Sequence, residues 1–371
     1  MLRFASMADK SALKALWDLC FSEDAAFLNW FFDNRFLPDF CPVWQEDGQI
    51  AACLHALPVH IRLRNQILPA AIVAGVSTHP DFRGRGLMGK VMAALLRRLR
   101  EEGIPLITHR PVNLAIYRSM GHFPMSNSRY IELEADSPHP SADSADTCVE
   151  LSMETHMATL YRCYTQFARQ YSGMIHRSYG DFMLKCADYR AGGAKCIGVF
   201  DSAGAMEGYS LYYQERYLVL GEECVGLSSA AYARIYAGLA RRGAGRRLLL
   251  RLAPDVDLSP AHALISCEPR SVLGIADVSQ VLAAVGLPFQ GAIQVEDPFF
   301  PPNRGVYDLT GNPCGQPPQL CISAGRLAQW AVGYRSMADI VEAGEAQVFD
   351  LAIVAKMDSV GVCPCFVTEE Y

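Results

Sequence analysis

A basic, glycine-containing segment between an apolar strand and an amphipathic helix is the part of the chain best suited to chemistry. The segment reads Arg83-Gly84-Arg85-Gly86. Glycines let backbone N–H groups approach a ligand closely, and a helix that begins directly after them presents the positive end of its dipole. The pattern predicts an anion site, and phosphate is the anion that fits it best.

The flanking elements would hold this segment in place. An apolar run that ends at Val76 predicts a buried strand, and Pro80, which has no N–H to donate, ends it. Apolar residues then recur at helical spacing, at positions 87, 88, 91, 92, 95 and 99. This spacing predicts an amphipathic helix that begins at Leu87 and ends at Gly103.

Two common phosphate motifs overlap the same segment, and residue chemistry disfavours both. Gly84-x-Gly86-x-x-Gly89 matches the dinucleotide fingerprint, but five residues, 79–83, separate it from its strand. The following strand also lacks the acidic residue that would bind a ribose. Gly84-x-x-x-x-Gly89-Lys90 nearly forms a P-loop, but Val91 stands where Ser or Thr must bind magnesium.

The segment closely resembles the pyrophosphate loop of the GNAT acetyltransferases, whose pattern is Arg or Gln, two residues, Gly, one residue, then Gly or Ala. Met88 departs from it, because a small residue is usual there. The resemblance implies acetyl-coenzyme A as co-substrate and no metal. It also implies the coenzyme contacts: Arg83, Gly84, Arg85, Gly86, Leu87 and Met88 at the pyrophosphate, and Val76, Ser77 and Thr78 along the pantetheine arm.

A second motif, Tyr117-x-x-x-Gly121, follows a predicted short strand at 104–108. In the GNAT family the tyrosine of this motif points at the thioester sulfur, so the resemblance implies that Tyr117 is the catalytic acid. A phenol with a pKa of about 10 can donate a proton or hydrogen bond to a departing thiolate while staying protonated at neutral pH. His122 follows, where an aromatic residue is common in the family.

Composition predicts a soluble, globular, cytoplasmic protein. The 371 residues are 51% hydrophobic and 19% charged, with no apolar run long enough to span a bilayer and no h-region of a signal peptide after Met1. The 13 cysteines are scattered without a Cys-x-x-Cys pair, which favours reduced thiols. The net charge of -6 disfavours nucleic acid as a partner and suits a cationic substrate.

The order of predicted elements indicates an α/β (α+β) chain of three domains. These are a catalytic GNAT domain at 1–135, a second GNAT-like domain at 148–268, and a third domain at 269–371. A Pro/Ser/Asp-rich linker at 136–147 joins the first two. The second repeats the element order but has Ser228-Ser229 in place of the glycine loop, so we expect no coenzyme site there. The third, with a last helix predicted at 336–343, resembles the sterol carrier protein-like domain of the enhanced intracellular survival (Eis) acetyltransferases.

The C-terminus adds candidate residues for the amine substrate. Eis-like proteins end on an aromatic residue whose carboxylate enters the active site, so the resemblance implies that the Tyr371 carboxylate is a candidate base. An α-carboxyl with a pKa near 3.5 matches an ammonium near 10 poorly, so it would act through a water or by attracting the cation. Glu370, Glu23 and Asp24 could add negative charge, and Trp30 an apolar wall.

These features together predict an Eis-like N-acetyltransferase in which an amine attacks the thioester directly. The resemblance implies an acceptor that is a polycationic amine such as an aminoglycoside, or a lysine side chain, and a homo-oligomer, with a hexamer as the expected form. No nucleic-acid or membrane partner is expected. A different class stays open, a coenzyme A-binding regulatory or scaffold protein that does not turn over. The physiological acceptor is not identified by the sequence.

Overall fold

The computed structural model describes residues 1–138 and 148–369. The described strands are β1 (Leu2–Phe4), β2 (Pro42–Glu46), β3 (Gln49–Leu63), β4 (Gln66–Thr78), β5 (Leu106–His109), β6 (Phe123–Pro124), β7 (Asn127–Leu133), β8 (Cys148–Leu151), β9 (Lys195–Phe200), β10 (Met206–Gln214), β11 (Leu218–Gly226), β12 (Arg247–Leu252), β13 (Leu264–Pro269), β14 (Val272–Ile275), β15 (Ala292–Glu296), β16 (Gly305–Asp308), β17 (Leu320–Ser323) and β18 (Ala346–Val348). The described helices are α1 (Lys10–Phe21), α2 (Ala25–Asn34), α3 (Leu87–Glu101), α4 (Leu114–Arg118), α5 (Met157–Ala168), α6 (Tyr179–Ala191), α7 (Ser229–Arg242), α8 (Val278–Val285), α9 (Ala324–Val332), α10 (Met337–Glu342) and α11 (Ala352–Asp358).

The chain forms two compact units. The first comprises Met1–Ser126 and Arg270–Cys365, with Glu369, and the second comprises Asn127–Pro269 and Phe366–Thr368. Most of the predicted linker, residues 139–147, lies outside the described residues.

The first unit contains a seven-stranded sheet in the order β1-β2-β3-β4-β5-β14-β6. The long hairpin β3–β4 is its centre, and β4 and β5 are parallel, as expected for a strand–helix–strand connection through α3. Helix α3 buries its apolar stripe, including Val91, Leu95 and Leu99, against the sheet. The predicted helix from Leu87 is confirmed, because α3 begins at that residue.

Two strands pair in a different sheet from the one that the predicted domain bounds would place them in. The first domain was predicted to end at residue 135, yet β7 pairs with β12 and β13 in the second sheet. The third domain was predicted to begin at residue 269, yet β14 pairs with β5 and β6 in the first sheet. Strand pairing is non-local, so hydrophobic periodicity gives a strand's existence but not its partner.

Two arginines join distant segments within the first unit. Arg64, in the β3–β4 turn, donates to the carbonyl oxygens of Trp330 and Ala331 at the end of α9 (2.7 and 2.9 Å) and to Val360 O and Gly361 O (3.0 and 2.8 Å). The Trp330 and Ala331 carbonyls lie at the negative end of the α9 dipole, which favours a cation. On α3, Arg100 donates to Ala276 O and to Asn303 Oδ1, both at 3.2 Å.

The last part of the first unit is a four-stranded sheet, in the order β16-β15-β17-β18, with helices α8 to α11. Helix α9 directly follows β17, and Ser323 caps it by accepting the Arg326 N–H at 3.3 Å. The helix predicted at 336–343 is confirmed as α10, but it is not the last described helix, because α11 follows it. Within the described residues, no helix is long and apolar enough to cross a membrane.

The second unit has its own seven-stranded sheet, in the order β13-β7-β12-β11-β10-β9-β8. Helix α7 follows β11, and β12 then pairs with β11 in parallel. Where the first domain has its glycine loop, Ser228 instead accepts the Ala231 N–H at 3.1 Å and caps α7.

A bulge in β4 depends on Gly75. His55 pairs with Ala74 and Cys53 with Ser77, so two residues of β4 oppose one of β3. Gly75 has a φ of 55°, and a Cβ atom added there would lie 2.5 Å from the ring of Trp17 on α1. Both the backbone conformation and the packing therefore require glycine at this position.

We predict that Gly75→Ala destabilises the protein by roughly 2–4 kcal/mol, because it combines left-handed strain with a clash against a buried ring. Gly48→Ala is the matched control, because Gly48 has a φ of 76° but nothing within 4 Å of the added carbon. That variant should lose only about 1–2 kcal/mol from strain. Urea denaturation of both variants measures the difference, and equal losses would remove the role assigned to Trp17.

Candidate active site

The glycine segment forms an open loop at the start of α3. Gly84 and Gly86 have φ angles of 77° and 68°, a region that favours glycine. A Cβ atom added to either glycine would meet nothing within 4 Å. The Lys90 N–H donates to Gly86 O at 3.4 Å, so the N–H groups of residues 87–89 precede the helical hydrogen-bond ladder. The loop therefore offers backbone donors at the positive end of a helix, the arrangement that binds phosphate.

The arginines of the loop are held at its edge. Arg83 Nε donates to Thr78 O at 3.2 Å, and within the described residues its two terminal nitrogens donate no hydrogen bond. Arg85 pairs with Glu46 at 2.9 Å and lies over the ring of Phe82. Both side chains are exposed, so they can contribute positive charge to an incoming anion.

Strands β4 and β5 separate next to this loop. They pair from Ala70 with Leu106 to Ile72 with Thr108 and no further, although β4 continues to Thr78. Beyond that point β5 stays paired with β14, and β4 stays paired with β3 across the bulge at Gly75. Among the described residues, the separation leaves a stretch of β4 that includes Val76, Ser77 and Thr78 without a strand partner on its β5 side. Ser77 is buried, and its Oγ donates to Gly75 O at 3.1 Å.

Tyr117 lies on the short helix α4, which Asn113 caps by accepting the Ala115 N–H at 3.0 Å. Its side chain is 7% exposed and packs in one apolar cluster with Val73 of β4 and Val91 of α3. Val76 and Met88 pack against the same cluster. The structure thus brings the loop helix, the separated part of β4 and Tyr117 into one apolar cluster.

The environment of Tyr117 keeps its phenol protonated. Burial raises the pKa of Tyr117 to about 12, because the charged phenolate is disfavoured away from water. Within the described residues, the hydroxyl makes no hydrogen bond, which leaves its proton available to a ligand.

Two buried histidines pack behind Tyr117. The ring centroid of His109, the last residue of β5, lies 4.2 Å from that of Tyr117. His109 Nε2 and His122 Nδ1 are 3.0 Å apart and share a hydrogen bond. Burial lowers the pKa of His122 to about 4, and burial with the neighbouring His122 lowers that of His109 well below its usual value. Sequence reasoning missed His109, and its position at the end of the strand before the Tyr117 motif is the signal that could have found it.

A third buried histidine, His55, lies among aromatic rings of α1 and α2. Its ring centroid is 5.1 to 5.8 Å from those of Trp17, Phe31, Phe32 and Phe36. Neither ring nitrogen has a hydrogen-bond partner among the described residues. Burial alone lowers the pKa of His55 to about 3, so the imidazole is neutral.

Three of the predicted acceptor residues, Glu23, Asp24 and Trp30, lie just before α2 or within it, and they are not part of the Tyr117 cluster. Asp24 is the N-cap of α2 and accepts the N–H groups of Ala26 and Phe27 at 2.8 and 3.2 Å. Glu23 is exposed, and desolvation of its carboxyl followed by the Asp24 charge raises its pKa. Trp30 is half-buried on the same helix. Glu370 and Tyr371 lie outside the described residues.

In the part of the chain that the structure describes, no group of three or more His, Cys, Asp or Glu side chains is arranged to hold a metal ion.

The class of protein follows from the match of this domain to a family model. Residues 2–125 match the acetyltransferase (GNAT) domain, and residues 278–361 match the sterol carrier protein domain. The chain therefore contains an acetyltransferase (GNAT) domain in its N-terminal part and a sterol carrier protein domain in its C-terminal part.

Solved structures share the fold over the full chain. A probable N-acyltransferase from Enterococcus faecalis V583 gives a TM-score of 0.82 at 17% identity, covering 100% of this chain and 99% of its own. A GCN5-related N-acetyltransferase from Anabaena variabilis gives 0.82 at 18%, and Eis1 from Mycobacterium abscessus gives 0.76 at 16%, each covering 100% of both chains. At these identities the likeness establishes the fold. A search of curated proteins finds no match to the chain.

The buried histidines predict a loss of stability in mild acid. Each has a lowered pKa in the folded state, so its stabilising contribution is complete above the unfolded value of about 6.5 and is lost as the pH falls towards the folded value. The free energy of unfolding should therefore fall between pH 6.5 and 4, by up to about 1.4 kcal/mol per pH unit for each histidine.

His55→Leu isolates one of them. We expect a shallower pH dependence, and greater stability at pH 7 by roughly 1–3 kcal/mol, because two unpartnered buried nitrogens are removed. Urea unfolding at pH 7, 6 and 5 measures both, and His60→Leu, at an exposed position of the same strand, is the control. An unchanged slope in His55→Leu would contradict the assignment.

Proposed function

We propose that the chain transfers the acetyl group of acetyl-coenzyme A to a primary amine of a polycationic small molecule, such as an aminoglycoside, or to a lysine side chain. The observation that carries the proposal is the convergence of three features in the first domain. These are an open loop of backbone donors at the start of α3, the separation of β4 from β5, and a protonated Tyr117 in the same apolar cluster.

The loop and β4 would hold the substrate. The backbone N–H groups of residues 84–88, with Arg83, suit a pyrophosphate, and the unpaired stretch Val76-Ser77-Thr78 suits the extended, amide-containing pantetheine arm. Met88, the residue that departs from the family pattern, packs its side chain against the Tyr117 cluster. Its backbone can therefore serve the loop while its larger side chain packs elsewhere.

The chemistry requires an amine in its neutral form. The ammonium loses a proton, the nitrogen attacks the thioester carbonyl, the carbon–sulfur bond breaks, and a second nitrogen proton is released as the thiolate takes one up. A backbone N–H of the β4 bulge near Val76 would polarise the carbonyl oxygen. The reaction thus gives an amide, a thiol and one free proton.

Tyr117 would act at the sulfur chiefly as a hydrogen-bond donor. With its pKa near 12 and a thiol pKa of about 8.5, complete proton transfer to the thiolate is uphill by about 3.5 pKa units, or about 5 kcal/mol. Hydrogen-bond donation to sulfur as charge develops there carries no such cost. Tyr117 therefore transfers its proton to the sulfur only if it gains another proton as the attacking nitrogen deprotonates.

The acceptor class is supported by charge. The chain has a net charge of -6, and Glu23 and Asp24 lie at the start of α2. Negative charge favours binding of polycationic amines. Eis1, whose fold this chain shares, adds the analogy to Eis-like enzymes. The proposal includes the Tyr371 carboxylate as an aid to amine binding or deprotonation, with Glu370 and Trp30 in the acceptor site. It also includes a homo-oligomer, expected to be a hexamer, in the cytoplasm.

Calorimetric titration of acetyl-coenzyme A into the purified protein tests the proposal first. A free-thiol release assay across aminoglycosides, polyamines and lysine peptides then tests turnover. Binding with thiol release on a polycationic amine supports the proposal. Binding without release on any of these amines favours a coenzyme-binding regulatory protein, and absence of binding removes the role of the loop.

Tyr117→Phe is expected to lower kcat about 100-fold or more while the Kd for acetyl-coenzyme A changes less than about twofold, because only a donor to the sulfur is lost. Tyr307→Phe removes another buried phenol of the same unit, which donates to Asn303 O, and is the control. Thiol-release kinetics and calorimetry measure the two quantities. Wild-type kcat in Tyr117→Phe would exclude Tyr117 as the donor.

Extension of the chain by three glycines after Tyr371 tests the terminal carboxylate. If that carboxylate assists the amine, the extension should reduce kcat/KM for the amine by about tenfold or more and leave acetyl-coenzyme A binding unchanged. An extended protein with wild-type kinetics would show that the terminus has no part in the reaction.

A further inference from the structure

The second unit repeats the strand separation of the first. β11 and β12 pair in parallel from Leu218 with Arg247 to Gly221 with Leu250, and no further. A bulge lies at the same point, because Tyr212 pairs with Gly221 but Leu211 pairs with Glu223. Here the extra residue, Glu222, directly follows the last parallel pair, whereas in β4 the bulge at Gly75 lies three residues past Ile72, the last residue that pairs with β5.

The neighbouring strands hold the separation in place. β12 stays on β7 as far as Leu252, which pairs with Arg129, and β11 stays on β10 as far as Gly226, which pairs with Gly208. Residues 222–226 of β11 therefore diverge from Arg251 and Leu252 of β12. The backbone groups along this divergence need other partners.

A segment from the end of the chain, Phe366–Thr368, belongs to this same unit. The Phe366 N–H donates to Ser172 O at 3.1 Å. Its ring packs against Tyr171 and Phe167, with centroids 5.8 and 6.2 Å away, inside the apolar core of the unit. The segment is thus anchored by both its backbone and its aromatic side chain.

Arg251 connects the bulge to this segment. Its Nε donates to Glu222 O at 3.2 Å, its Nη1 to Val367 O at 3.1 Å and its Nη2 to Thr368 O at 2.6 Å. The side chain is 1% exposed and the guanidinium lies over the Phe366 ring. A buried guanidinium needs acceptors for its donors, and carbonyl groups of the segment supply two of them.

Arg177, which forms a buried ion pair with Glu223, adds a further contact to the segment. It binds the Glu223 carboxylate with two bonds, at 3.1 and 2.8 Å, and Tyr209 donates to the same carboxylate at 2.6 Å. Its Nη2 also donates to Thr368 Oγ1 at 3.3 Å. Its charge is balanced by Glu223, so Arg177 can hold the Thr368 hydroxyl at little electrostatic cost.

We propose that the second GNAT-like domain is a peptide-binding module whose ligand is the chain's own C-terminal segment, Phe366–Thr368. The module recognises an extended peptide through main-chain carbonyls at Arg251, an aromatic side chain against Tyr171 and a hydroxyl at Arg177. The peptide lies where two parallel strands part, the feature to which the first domain's coenzyme arm is assigned. That comparison rests on the proposed function, but the peptide site does not.

This assignment gives the second domain a role that its missing glycine loop left open. The second domain also has a bulge and a separation of parallel strands, but it binds a different ligand, because Arg251 supplies fixed donors that a peptide backbone can match. If the segment left its site, Arg251 would lose two acceptors for its buried N–H groups. The free-energy cost of that loss keeps the segment bound.

Carboxypeptidase digestion of the full-length protein tests the proposal without reference to transferase activity. In the wild-type protein, trimming followed by mass spectrometry should stop before Thr368 is removed. In Arg251→Lys, trimming should continue through Phe366 at least about tenfold faster, because lysine cannot reproduce the forked contacts of arginine. Arg247→Lys is the matched control, since Arg247 lies exposed on the same strand and pairs with Glu132.

A second variant tests the same contact in case Arg251→Lys misfolds. Phe366→Ala changes the ligand and leaves both arginines in place, and it should also be trimmed faster than the wild type. Circular dichroism and a Tm above the digestion temperature establish that each variant is folded. Trimming of folded Arg251→Lys and Phe366→Ala at the wild-type rate, or of the wild type at the rate of denatured protein, would overturn the proposal whether or not the protein transfers acetyl groups.

Discussion

The structure depends on a constraint that applies to every buried strand: its N–H and C=O groups must find partners. In each of the two large sheets, two parallel strands part about halfway along their length, and a bulge lies at or shortly after that point. A single bulged residue changes the direction of the strand and leaves backbone groups exposed along one side. A ligand that presents alternating donors and acceptors can satisfy them. Among the described residues, the proposed sites therefore lie along strand edges that lose their parallel partner partway.

Burial sets the protonation states around Tyr117. Because the phenol and the two histidines behind it share a low-dielectric environment, each favours its neutral form. His109 and His122 can then share only one proton along their hydrogen bond, so their tautomers are coupled. Among the described residues, these three side chains therefore bring no fixed charge next to the Tyr117 hydroxyl. The loop and the helix dipole of α3 can supply positive charge nearby.

Local sequence signals predicted the local features of this protein. Gly84 and Gly86 predicted the loop because only glycine adopts their φ angles without strain, and the apolar period predicted α3 from its first residue. The sequence did not reveal that β14 completes the first sheet, that His109 meets His122, or that Arg251 binds residues 116 and 117 positions away. Each of these depends on which strands become neighbours, and hydrophobic period carries no information about that choice.

The position of β14 has a consequence for how the chain is made. The first sheet needs residues 272–275 to pair with β5, and Arg64 needs carbonyl groups from residues 330–361. Between these segments lies Asn127–Pro269, which forms most of the second unit from a continuous stretch. During synthesis the ribosome releases that stretch before it releases β14. Strand β5 of the N-terminal domain, although translated first, therefore lacks its β14 partner until synthesis has passed residue 275.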